Sequence, residues 1–433
     1  MPQNDELNMR RQRREQLRRQ RQAEQRRVKL ALIAAGAILV ACACGIFVIA
    51  RNSEKLGVQT APDSTLMTQP TETTAATEET AQRRDPLTVI HLRAAGDLNI
   101  TDSVVESGLA ATGFDYTRAF MDVAPVLADA DLTIMNFEGN VCGEPYGSVS
   151  TSAPMEILQG LRSAGVDLLQ TANSCSINNG LIGMTSTIQA INSAGLRGVG
   201  AFSTEAEWKR SGGYTIVEVQ GIRIAFVAFT KGVGNMGMPN GNENLVNLLY
   251  TDYSTTYRDI DKDRITKTLD RVNAERPDIV VAMLHWGSEY NDVISATQES
   301  IVALLQKKGV DVIIGTHPHL VQKVDFDPLT GNFVAYSLGD FYGDASRGGT
   351  SYSIILDLEI TKDTDTGVTK VTDWSYTPIY TLHGVDCDGY QRVVRIEEAM
   401  FAYENNFVDK VTAACYDDMK YSLERIVARL AGE

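Results

Sequence analysis

The sequence predicts an α/β protein built on a largely parallel β-sheet and carried behind an N-terminal membrane segment. Apolar segments of strand length alternate with segments of helical spacing from residue 87 onward. Four strand segments share one pattern, in which an aspartate precedes an apolar run and a polar residue follows it. An uncharged apolar run of membrane-spanning length lies near the N-terminus. Alternating helices and strands are typical of parallel sheets with right-handed crossovers.

The N-terminal 50 residues combine a basic tail with an apolar run. Residues 1–27 are polar and arginine-rich, and Leu30–Ala50 contains 21 residues without a charge. At roughly 1.5 Å per residue, such a run crosses about 30 Å of hydrocarbon. Arginines before a membrane helix favour a cytoplasmic N-terminus. We therefore expect a cytoplasmic tail at 1–27, an uncleaved single-pass anchor at 28–50 in the cell membrane, and an extracytoplasmic body. A cleaved signal peptide, including a lipobox-like Leu39–Cys42, is the alternative.

Composition changes twice beyond the apolar run. Residues 51–86 are rich in Thr, Glu, Ala, Gln and Ser, so we expect a disordered linker that cannot bury a core. Residues 87–433 should form the folded body.

Residues 1–50 hold 10 Lys+Arg and 4 Asp+Glu, whereas the remainder holds 30 and 51. So acidic a body argues against nucleic acid as a partner and suits cations or a basic protein surface.

Polar side chains stand where the predicted strands end. The clearest case is Val310–His319, in which an apolar strand breaks at a glycine and is followed by two histidines around Pro318. In open α/β sheets the carboxyl ends of the strands share one edge, and ligands bind there. One such residue alone is usually a loop residue or a helix cap, but the repetition favours a site. The residues gathered in this way are Asp97, Asn136, Glu138, Asn173, His285, His317 and His319.

This set offers three imidazoles, two carboxylates and two amide oxygens. Mixed nitrogen and oxygen ligands suit Zn, Mn, Fe or related divalent ions. The number of ligands exceeds one tetrahedral site and suits two ions, which can lower the pKa of a bridging water to about 7 and clamp a phosphoryl or acyl group. His285 could bind metal or protonate a leaving group. The predicted ligands are Asp97, Asn136, Glu138, Asn173, His317 and His319.

Five motifs of the chain resemble, in order and spacing, those of the bacterial capsule-synthesis protein CapA family, which is associated with poly-γ-glutamate capsule production. The resemblance extends from about Val89 to Pro378. It implies a four-layer α/β sandwich of the calcineurin-like metallophosphatase type, in a membrane-tethered extracytoplasmic protein. The motifs are Ala95-Gly96-Asp97, Asn136-Phe137-Glu138-Gly139, His285-Trp286-Gly287-Ser288-Glu289-Tyr290, Gly315-Thr316-His317-Pro318-His319 followed by Gln322, and Tyr336-Ser337-Leu338-Gly339-Asp340-Phe341.

The motifs also suggest residues beyond the metal ligands. We predict His285 and Glu289 as catalytic residues. Trp286, Gln322 and Asp340 are predicted to contact substrate, although Trp286 is at least as good a candidate for packing. Asp340 stands where the family commonly has Asn.

One segment departs from the family pattern. The family usually has Ala-Asn-Asn-His, then two residues, then Asp-x-Gly. This chain has Ala172–Gly180, in which Ser174 replaces the second Asn, Cys175 replaces the His and Asn178 replaces the Asp. A family histidine is therefore missing from the edge of the site, which implies either weaker metal binding or a new role for the cysteine.

The cysteines leave several alternatives open. Cys175 could be a metal-binding or nucleophilic thiolate, a partner of Cys142 in a disulfide, or a small buried residue. An extracytoplasmic compartment is oxidising, so we expect the disulfide with Cys142. Cys387 and Cys415 would then form a second bridge.

The sequence supports two hypotheses about function. The first is a membrane-anchored capsule-synthesis protein with a metal-assisted hydrolase site, holding one or two Mn, Zn or Fe ions and acting on a phosphoester or an anionic polymer. The second is a non-catalytic polymer-binding or scaffold subunit that contacts membrane synthase subunits, with a degenerate metal site. The altered segment favours the second hypothesis. The acidic body argues against a broad polyglutamate-binding surface but permits a local site.

Overall fold

A computed structural model describes residues 86–234, 236–386, 389–407 and 411–433. The predicted tail, the predicted membrane anchor and all but the last residue of the predicted linker lie outside these ranges. No helix within the described ranges is both long and apolar enough to span a bilayer.

The described residues form fourteen strands and ten α-helices. The strands are β1 (Leu87–Asn99), β2 (Leu132–Glu138), β3 (Leu168–Gln170), β4 (Arg197–Val199), β5 (Tyr214–Val219), β6 (Ile222–Thr230), β7 (Ile279–His285), β8 (Val312–Thr316), β9 (Val324–Asp327), β10 (Asn332–Ala335), β11 (Asp340–Tyr342), β12 (Tyr352–Asp363), β13 (Thr369–Leu382) and β14 (Arg392–Arg395). The helices are α1 (Asp102–Ser107), α2 (Thr117–Phe120), α3 (Ala124–Ala128), α4 (Glu156–Ser163), α5 (Gly180–Ser193), α6 (Glu205–Ser211), α7 (Lys262–Ala274), α8 (Ala296–Lys307), α9 (Ile396–Glu404) and α10 (Ala413–Ala431).

The strands are divided between two mixed sheets. The first has the order β14-β13-β12-β1-β2-β3-β4, and β11 also pairs with β1. Within it β1 to β4 are parallel, whereas β12, β13 and β14 run antiparallel to their neighbours. The second sheet has the order β5-β6-β7-β8-β10-β9, with a parallel centre and an antiparallel strand at each edge. All residues of β2 and β7 are buried, as expected of parallel strands covered on both faces.

Three hydrophobic cores show that the body has four layers. Alternate residues of β6 illustrate this, because successive side chains of a strand point to opposite faces. Phe226 packs with Leu92 and other residues of the first sheet, so one core lies between the sheets. Its neighbour Val227 packs with Leu269 and Leu305 of α7 and α8 on the outer face of the second sheet. A third core joins the outer face of the first sheet to α1–α4. The layers are therefore helices, sheet, sheet and helices, as the resemblance implied.

The aspartates of the repeated sequence pattern have a structural role. Each one stands just before a parallel strand and accepts a hydrogen bond from a backbone N–H of the neighbouring strand. These contacts fix the relative stagger of adjacent strands, so that the polar residues at the strand ends reach the same edge. The bonds are Asp131 with His91 (2.8 Å), Asp167 with Thr133 (3.0 Å), Asp278 with Arg223 (2.7 Å) and Asp311 with Val280 (2.8 Å).

Two helical predictions differ from the structure. The spacing over 114–129 predicts one helix, but the segment contains the separate helices α2 and α3, and Pro125 lies in the first turn of α3. Proline removes a backbone donor and is tolerated at a helix start but not inside a helix. The sequence also predicts a closing helix near Val408 to Leu430; residues 408–410 lie outside the described ranges, and the helix α10 begins at Ala413, where the Thr412 side chain accepts a hydrogen bond from the backbone of Cys415.

Candidate metal centre

The site lies at the carboxyl ends of strands from both sheets. Asp97 is on β1, Glu138 ends β2 and His285 ends β7, while His317 and His319 follow β8 directly. All seven residues that the sequence analysis places at this edge, including Asn136 and Asn173, are buried with at most 6% exposure. The structure therefore gathers side chains from distant parts of the chain, as the parallel topology predicts.

Gly96 allows the closest backbone approach in the site. A Cβ atom at this position would lie only 1.8 Å from the carbonyl oxygen of Gly339. The backbone N–H of Asp97 donates to that same oxygen at 3.0 Å. The glycine therefore lets the segment before Asp340 press against β1, which brings Asp97 and Asp340 to the same edge.

Two amides orient the carboxylate of Asp97. The Asn136 side-chain amide donates to Asp97 Oδ1 at 2.6 Å, and the Asn173 side-chain amide donates to Asn136 Oδ1 at 3.0 Å. Asn173 Oδ1 in turn accepts from the backbone of Cys175 at 3.1 Å. Both amide oxygens, predicted as metal ligands, thus accept hydrogen bonds in the structure. The chain of bonds fixes the position of Asp97.

The loop after β8 holds its two histidines in a conformation that L-residues rarely adopt. His317 has a φ of 91° and His319 a φ of 60°. Such backbone strain is maintained only where surrounding contacts impose it. One such contact is the hydrogen bond from the His317 backbone to Asp97 Oδ2, at 3.0 Å. The turn brings the His317 ring to within 4.4 Å of the His285 ring, centroid to centroid.

Three buried polar atoms in the centre have no hydrogen-bond partner within the described chain: Glu138 Oε2, His285 Nε2 and His317 Nδ1. The same three residues have ligand atoms within 4.8 Å of one another. Buried polar atoms without partners are costly, and three convergent ones with the chemistry of metal ligands are satisfied by a divalent cation. The residues present therefore fit a metal ion.

Two further groups adjoin the first. Asp97, Glu138 and His319 form one, and Glu289, His317 and His319 form another, again with ligand atoms within 4.8 Å. Glu138, His317 and His319 each belong to two groups. Shared ligands between adjacent groups suit a pair of ions.

Charges within the centre shift its protonation in opposite directions. Burial, reinforced by the charge of Glu138, raises the pKa of Asp97 to about 6. Burial alone would also raise the pKa of Glu138, but the neighbouring His285 imidazole holds it below the usual range of a carboxyl group. Burial, together with the proximity of His285, lowers the pKa of His317. A neutral imidazole and an ionised carboxylate are the forms that bind metal.

Asp340 contacts the Nδ1 atom of the His319 ring, and Asn99 in turn donates a hydrogen bond to Asp340. His319 Nδ1 lies 2.8 Å from Asp340 Oδ1, and the Asn99 amide donates to the same oxygen at 2.8 Å. Burial would lower the pKa of His319, but Asp340 outweighs it and raises that pKa to about 10. A carboxylate on one ring nitrogen fixes the direction of the other, as in many metal-binding histidines. Asp340 therefore contacts a candidate ligand and also lines the neighbouring cleft.

A cleft of about 380 Å³ opens beside these residues. Glu289 lies on its wall and is exposed, as a residue that contacts substrate must be. Tyr290 stacks on His319 with ring centroids 5.2 Å apart, and the Arg347 guanidinium lies 4.2 Å from the centre of the tyrosine ring. Ser174 also lines the cleft and donates a hydrogen bond to Glu138 Oε1.

Sequence reasoning missed Asn99, Lys231 and Arg347. Asn99 stands two residues after Asp97 on the same strand, and strand periodicity could have identified it. Lys231 follows β6 directly, and its ammonium donates to the Gly287 carbonyl at 2.7 Å in the loop after β7. Arg347 lies in a loop outside the motifs, and no sequence pattern marks it.

Two residues predicted to contact substrate are buried and are not among the residues that line the cleft. Trp286 is fully buried, donates its indole N–H to the Tyr336 carbonyl at 2.9 Å and belongs to the outer core of the second sheet. Gln322 is buried and donates to the Asn291 carbonyl at 2.8 Å. Both side chains thus donate hydrogen bonds to backbone carbonyls of neighbouring segments.

The predicted Cys142–Cys175 disulfide is also absent. Both residues are free thiols. Cys142 Sγ lies 3.4 Å from Ser152 Oγ, whereas Cys175 lines the cleft with its sulfur 3.8 Å from Ser174 Oγ. Burial and the charge of Glu138 raise the pKa of Cys175 to about 12, so its thiol is protonated near neutral pH. Cys387, the predicted partner of Cys415, lies outside the described residues.

The fold and the site define a class: a four-layer α/β protein with a buried histidine- and carboxylate-lined centre suited to divalent metal ions. Comparison with known proteins then gives the family. Residues 91–345 match the model of the bacterial capsule synthesis protein PGA_cap family, and the chain belongs to that family.

Curated relatives agree with this membership. Capsule biosynthesis protein CapA of Bacillus anthracis is 27% identical over 269 residues, which cover 60% of this chain and 61% of that protein. PGA biosynthesis protein CapA of Bacillus subtilis strain 168 is 26% identical over 258 residues, which cover 58% of this chain and 63% of that protein. The matched region thus spans about three fifths of these relatives.

Solved structures that resemble this chain include a phosphoesterase and a phosphatase. The calcineurin-like phosphoesterase YfkN of Bacillus subtilis is 16% identical with a TM-score of 0.41, covering 80% of this chain and 99% of that chain. A phosphatase of Mycoplasma pneumoniae is 14% identical with a TM-score of 0.41, covering 68% and 94%. The four-layer arrangement of this chain is shown by its own two sheets and three hydrophobic cores.

Proposed function

We propose that this chain serves capsule or poly-γ-glutamate synthesis as a metal-dependent hydrolase that acts on a phosphoester or a γ-glutamyl polymer. Family membership supports the capsule role. The observation that supports the chemistry is the convergence of Glu138, His285 and His317, each with a buried polar atom that lacks a hydrogen-bond partner among the described residues, although His285 Nε2 lies 3.4 Å from Glu138 Oε1. Proteins leave such atoms unpaired at sites that bind a ligand.

Each residue of the centre has a role in this proposal. Asp97, Glu138, His285, His317 and His319 would hold the ions. Bound divalent ions would lower the pKa of a coordinated water to about 7 and polarise an oxygen of the substrate.

The residues around the ions complete the site. Asn136 and Asn173 orient Asp97, and Asp340 orients His319. Glu289 is an exposed carboxylate on the cleft wall, and in this proposal it would exchange a proton with substrate.

We further propose that residues 28–50 anchor the protein in the cell membrane with the site outside the cytoplasm. The support is the uncharged run from Leu30 to Ala50 behind an arginine-rich tail. Such an anchor would hold the hydrolase beside membrane synthase subunits and a nascent extracellular polymer.

The activity can be tested on the full-length chain, purified in detergent without chelator. A phosphodiester, a phosphomonoester and a γ-glutamyl oligomer would each be incubated with the protein and Mn, Zn or Fe. We expect metal-dependent turnover of one of these substrates, and a loss of at least roughly 100-fold in His317→Ala, since even supporting groups of metal sites are worth 10–100-fold.

His91→Ala is the matched control. His91 is an exposed histidine on β1 that contacts Asp357 away from the cleft, and its replacement should leave turnover unchanged. Equal turnover in the His317→Ala and wild-type chains would contradict the proposal, as would turnover that is independent of metal.

A second candidate function is a non-catalytic scaffold that binds polymer. Cys175 supports it, because a protonated thiol stands where the family usually has a histidine. In the same experiment the scaffold function predicts polymer binding without turnover of any of the three substrates.

A further inference from the structure

Arg347 and Tyr290 form a cationic and aromatic pair on the wall of the cleft. The guanidinium carbon lies 4.2 Å from the centre of the Tyr290 ring, and this ring stacks on His319 at 5.2 Å. The cation and a candidate metal ligand thus contact the same aromatic ring. We propose that this pair is a recognition subsite for a substrate carboxylate adjacent to the bond held at the metal centre. The inference rests on the proposed function, whose γ-glutamyl substrate carries a free carboxylate beside each amide bond.

The backbone holds Tyr290 in place next to the histidines. Its N–H donates to the Pro318 carbonyl at 2.9 Å, between His317 and His319. Tyr290 has a φ of 56°, which is unusual for a bulky residue and requires support from its surroundings. The ring is therefore a fixed platform attached to the metal-binding loop.

The loop that carries Arg347 has its own support. Both the backbone N–H and the hydroxyl of Thr350 donate to the Arg347 carbonyl, at 3.1 and 2.8 Å. Gly349, with a φ of 89°, packs against Arg429, whose side chain is only 10% exposed.

Arg429 links this loop to the one that follows Tyr290. One of its nitrogens lies 3.6 Å from Asp292, while its Nε and Nη1 atoms are buried without a hydrogen-bond partner in the described chain. Arg429 therefore contacts the loop of Arg347 at Gly349 and the loop of Tyr290 at Asp292. One side chain, Arg429, thus connects the loop of Arg347 with the loop of Tyr290.

The chemistry of Arg347 favours a carboxylate. A guanidinium stacked on an aromatic ring keeps its in-plane N–H groups free, and their fork matches the two oxygens of a carboxylate. Among the described residues, no carboxylate lies within ion-pair distance of Arg347, which is exposed to the cleft. The cleft lining also carries Glu138, Glu289, Asp340 and Asp344. Among the described residues along its walls, Arg347 is the one arginine or lysine, so it is the side chain that offers a guanidinium fork to an incoming carboxylate.

Equilibrium binding of two fluorescent probes tests the subsite on the full-length, metal-loaded chain. One probe is a γ-glutamyl hexamer, and the other is the same hexamer with its free carboxylates converted to carboxamides. The wild-type chain should bind the carboxylate probe more tightly. Arg347→Gln should weaken its binding by about 10-fold or more, without weakening binding of the amide probe. Arg347→Lys, which keeps the charge but not the fork, should fall between.

Arg118→Gln is the matched control, because Arg118 is also exposed and its guanidinium carbon lies 3.7 Å from the centre of the Tyr390 ring outside the cleft. It should bind both probes as the wild-type chain does. The inference is overturned if the wild-type chain does not prefer the carboxylate probe, or if Arg347→Gln binds it unchanged or loses both probes equally.

Metal content, measured on the same samples, separates this inference from the proposed function. Arg347→Gln should retain the metal of the wild-type chain, since Arg347 contacts Tyr290 and none of the candidate ligands. A wild-type chain that holds metal and turns substrate over but does not discriminate between the probes would leave the proposed function intact. A chain without metal would refute the proposed function, whichever probe it prefers.

Discussion

His317 donates its backbone N–H to the Asp97 carboxylate at 3.0 Å, although the two residues are 220 positions apart in the chain. Asp97 belongs to the first sheet and His317 follows a strand of the second. The contact therefore joins the two sheets at the edge where their parallel strands end. The candidate metal centre is built across this junction, so its geometry depends on how the sheets pack.

Gly96→Ala should destabilise the protein through this junction. The added Cβ would lie 1.8 Å from the Gly339 carbonyl oxygen, so the backbone on one side must move. We expect the free energy of unfolding to fall by about 3 kcal/mol or more, as for strongly overpacked sites. Denaturant titration of the metal-free chain measures this change.

Gly237→Ala is the control for that substitution, because nothing lies within 4 Å of the Cβ position there. Its unfolding midpoint should stay close to that of the wild-type chain. If both variants unfolded at the wild-type denaturant concentration, the close approach of Gly96 and Gly339 would be wrong.

Cys175→His should strengthen metal binding. The substitution restores the residue usual in the family at a position that lines the cleft beside Ser174. We expect affinity to rise by about tenfold or more, since even supporting partners in metal sites are worth roughly 10–100-fold. Competition against a chromophoric chelator measures the affinity.

Cys175→Ser tests whether the Cys175 sulfur binds the metal ion. The raised pKa of the thiol keeps it protonated near neutral pH, so its replacement by serine should leave affinity unchanged. A large loss in Cys175→Ser would instead show that the sulfur binds the ion as a thiolate. No gain in Cys175→His would indicate that this position does not face the ions.

Trp286→Phe should affect stability rather than substrate recognition. The substitution removes the indole N–H that donates to the Tyr336 carbonyl and leaves a buried acceptor without a partner. A cost of about 1–3 kcal/mol in unfolding free energy is expected. Binding of the γ-glutamyl hexamer by the folded variant should match that of the wild-type chain. Weaker binding at unchanged stability would instead indicate that Trp286 contacts substrate, as the sequence predicts.

Most of the site could be predicted because of a general property of parallel sheets. Apolar runs identified strands such as β7 and β8, and the polar residue ending each run had to lie at a common edge. The aspartates before the strands strengthened the pattern, and the structure shows why, since they bond to neighbouring strands and hold their stagger.

The remainder depends on contacts that a linear pattern does not contain. Trp286 and His285 are adjacent in one motif, yet one faces the outer core and the other the centre. Arg347 lines the cleft from a loop in which Gly349 lies beside Arg429 of the C-terminal helix, a contact between distant parts of the chain. Cys142 and Cys175 follow neighbouring strands, but side-chain direction rather than strand order decides whether two sulfurs can bond.

The central claim is that Glu138, His285 and His317 hold a divalent ion. The most direct test is the metal content of the full-length chain, purified without chelator and exposed to Mn, Zn or Fe. We predict one to about two equivalents per chain in the wild type, and a clear loss in His317→Ala with folding intact. Retention of bound metal by His317→Ala, or no bound metal in the wild-type chain with any of the three ions, would contradict the claim.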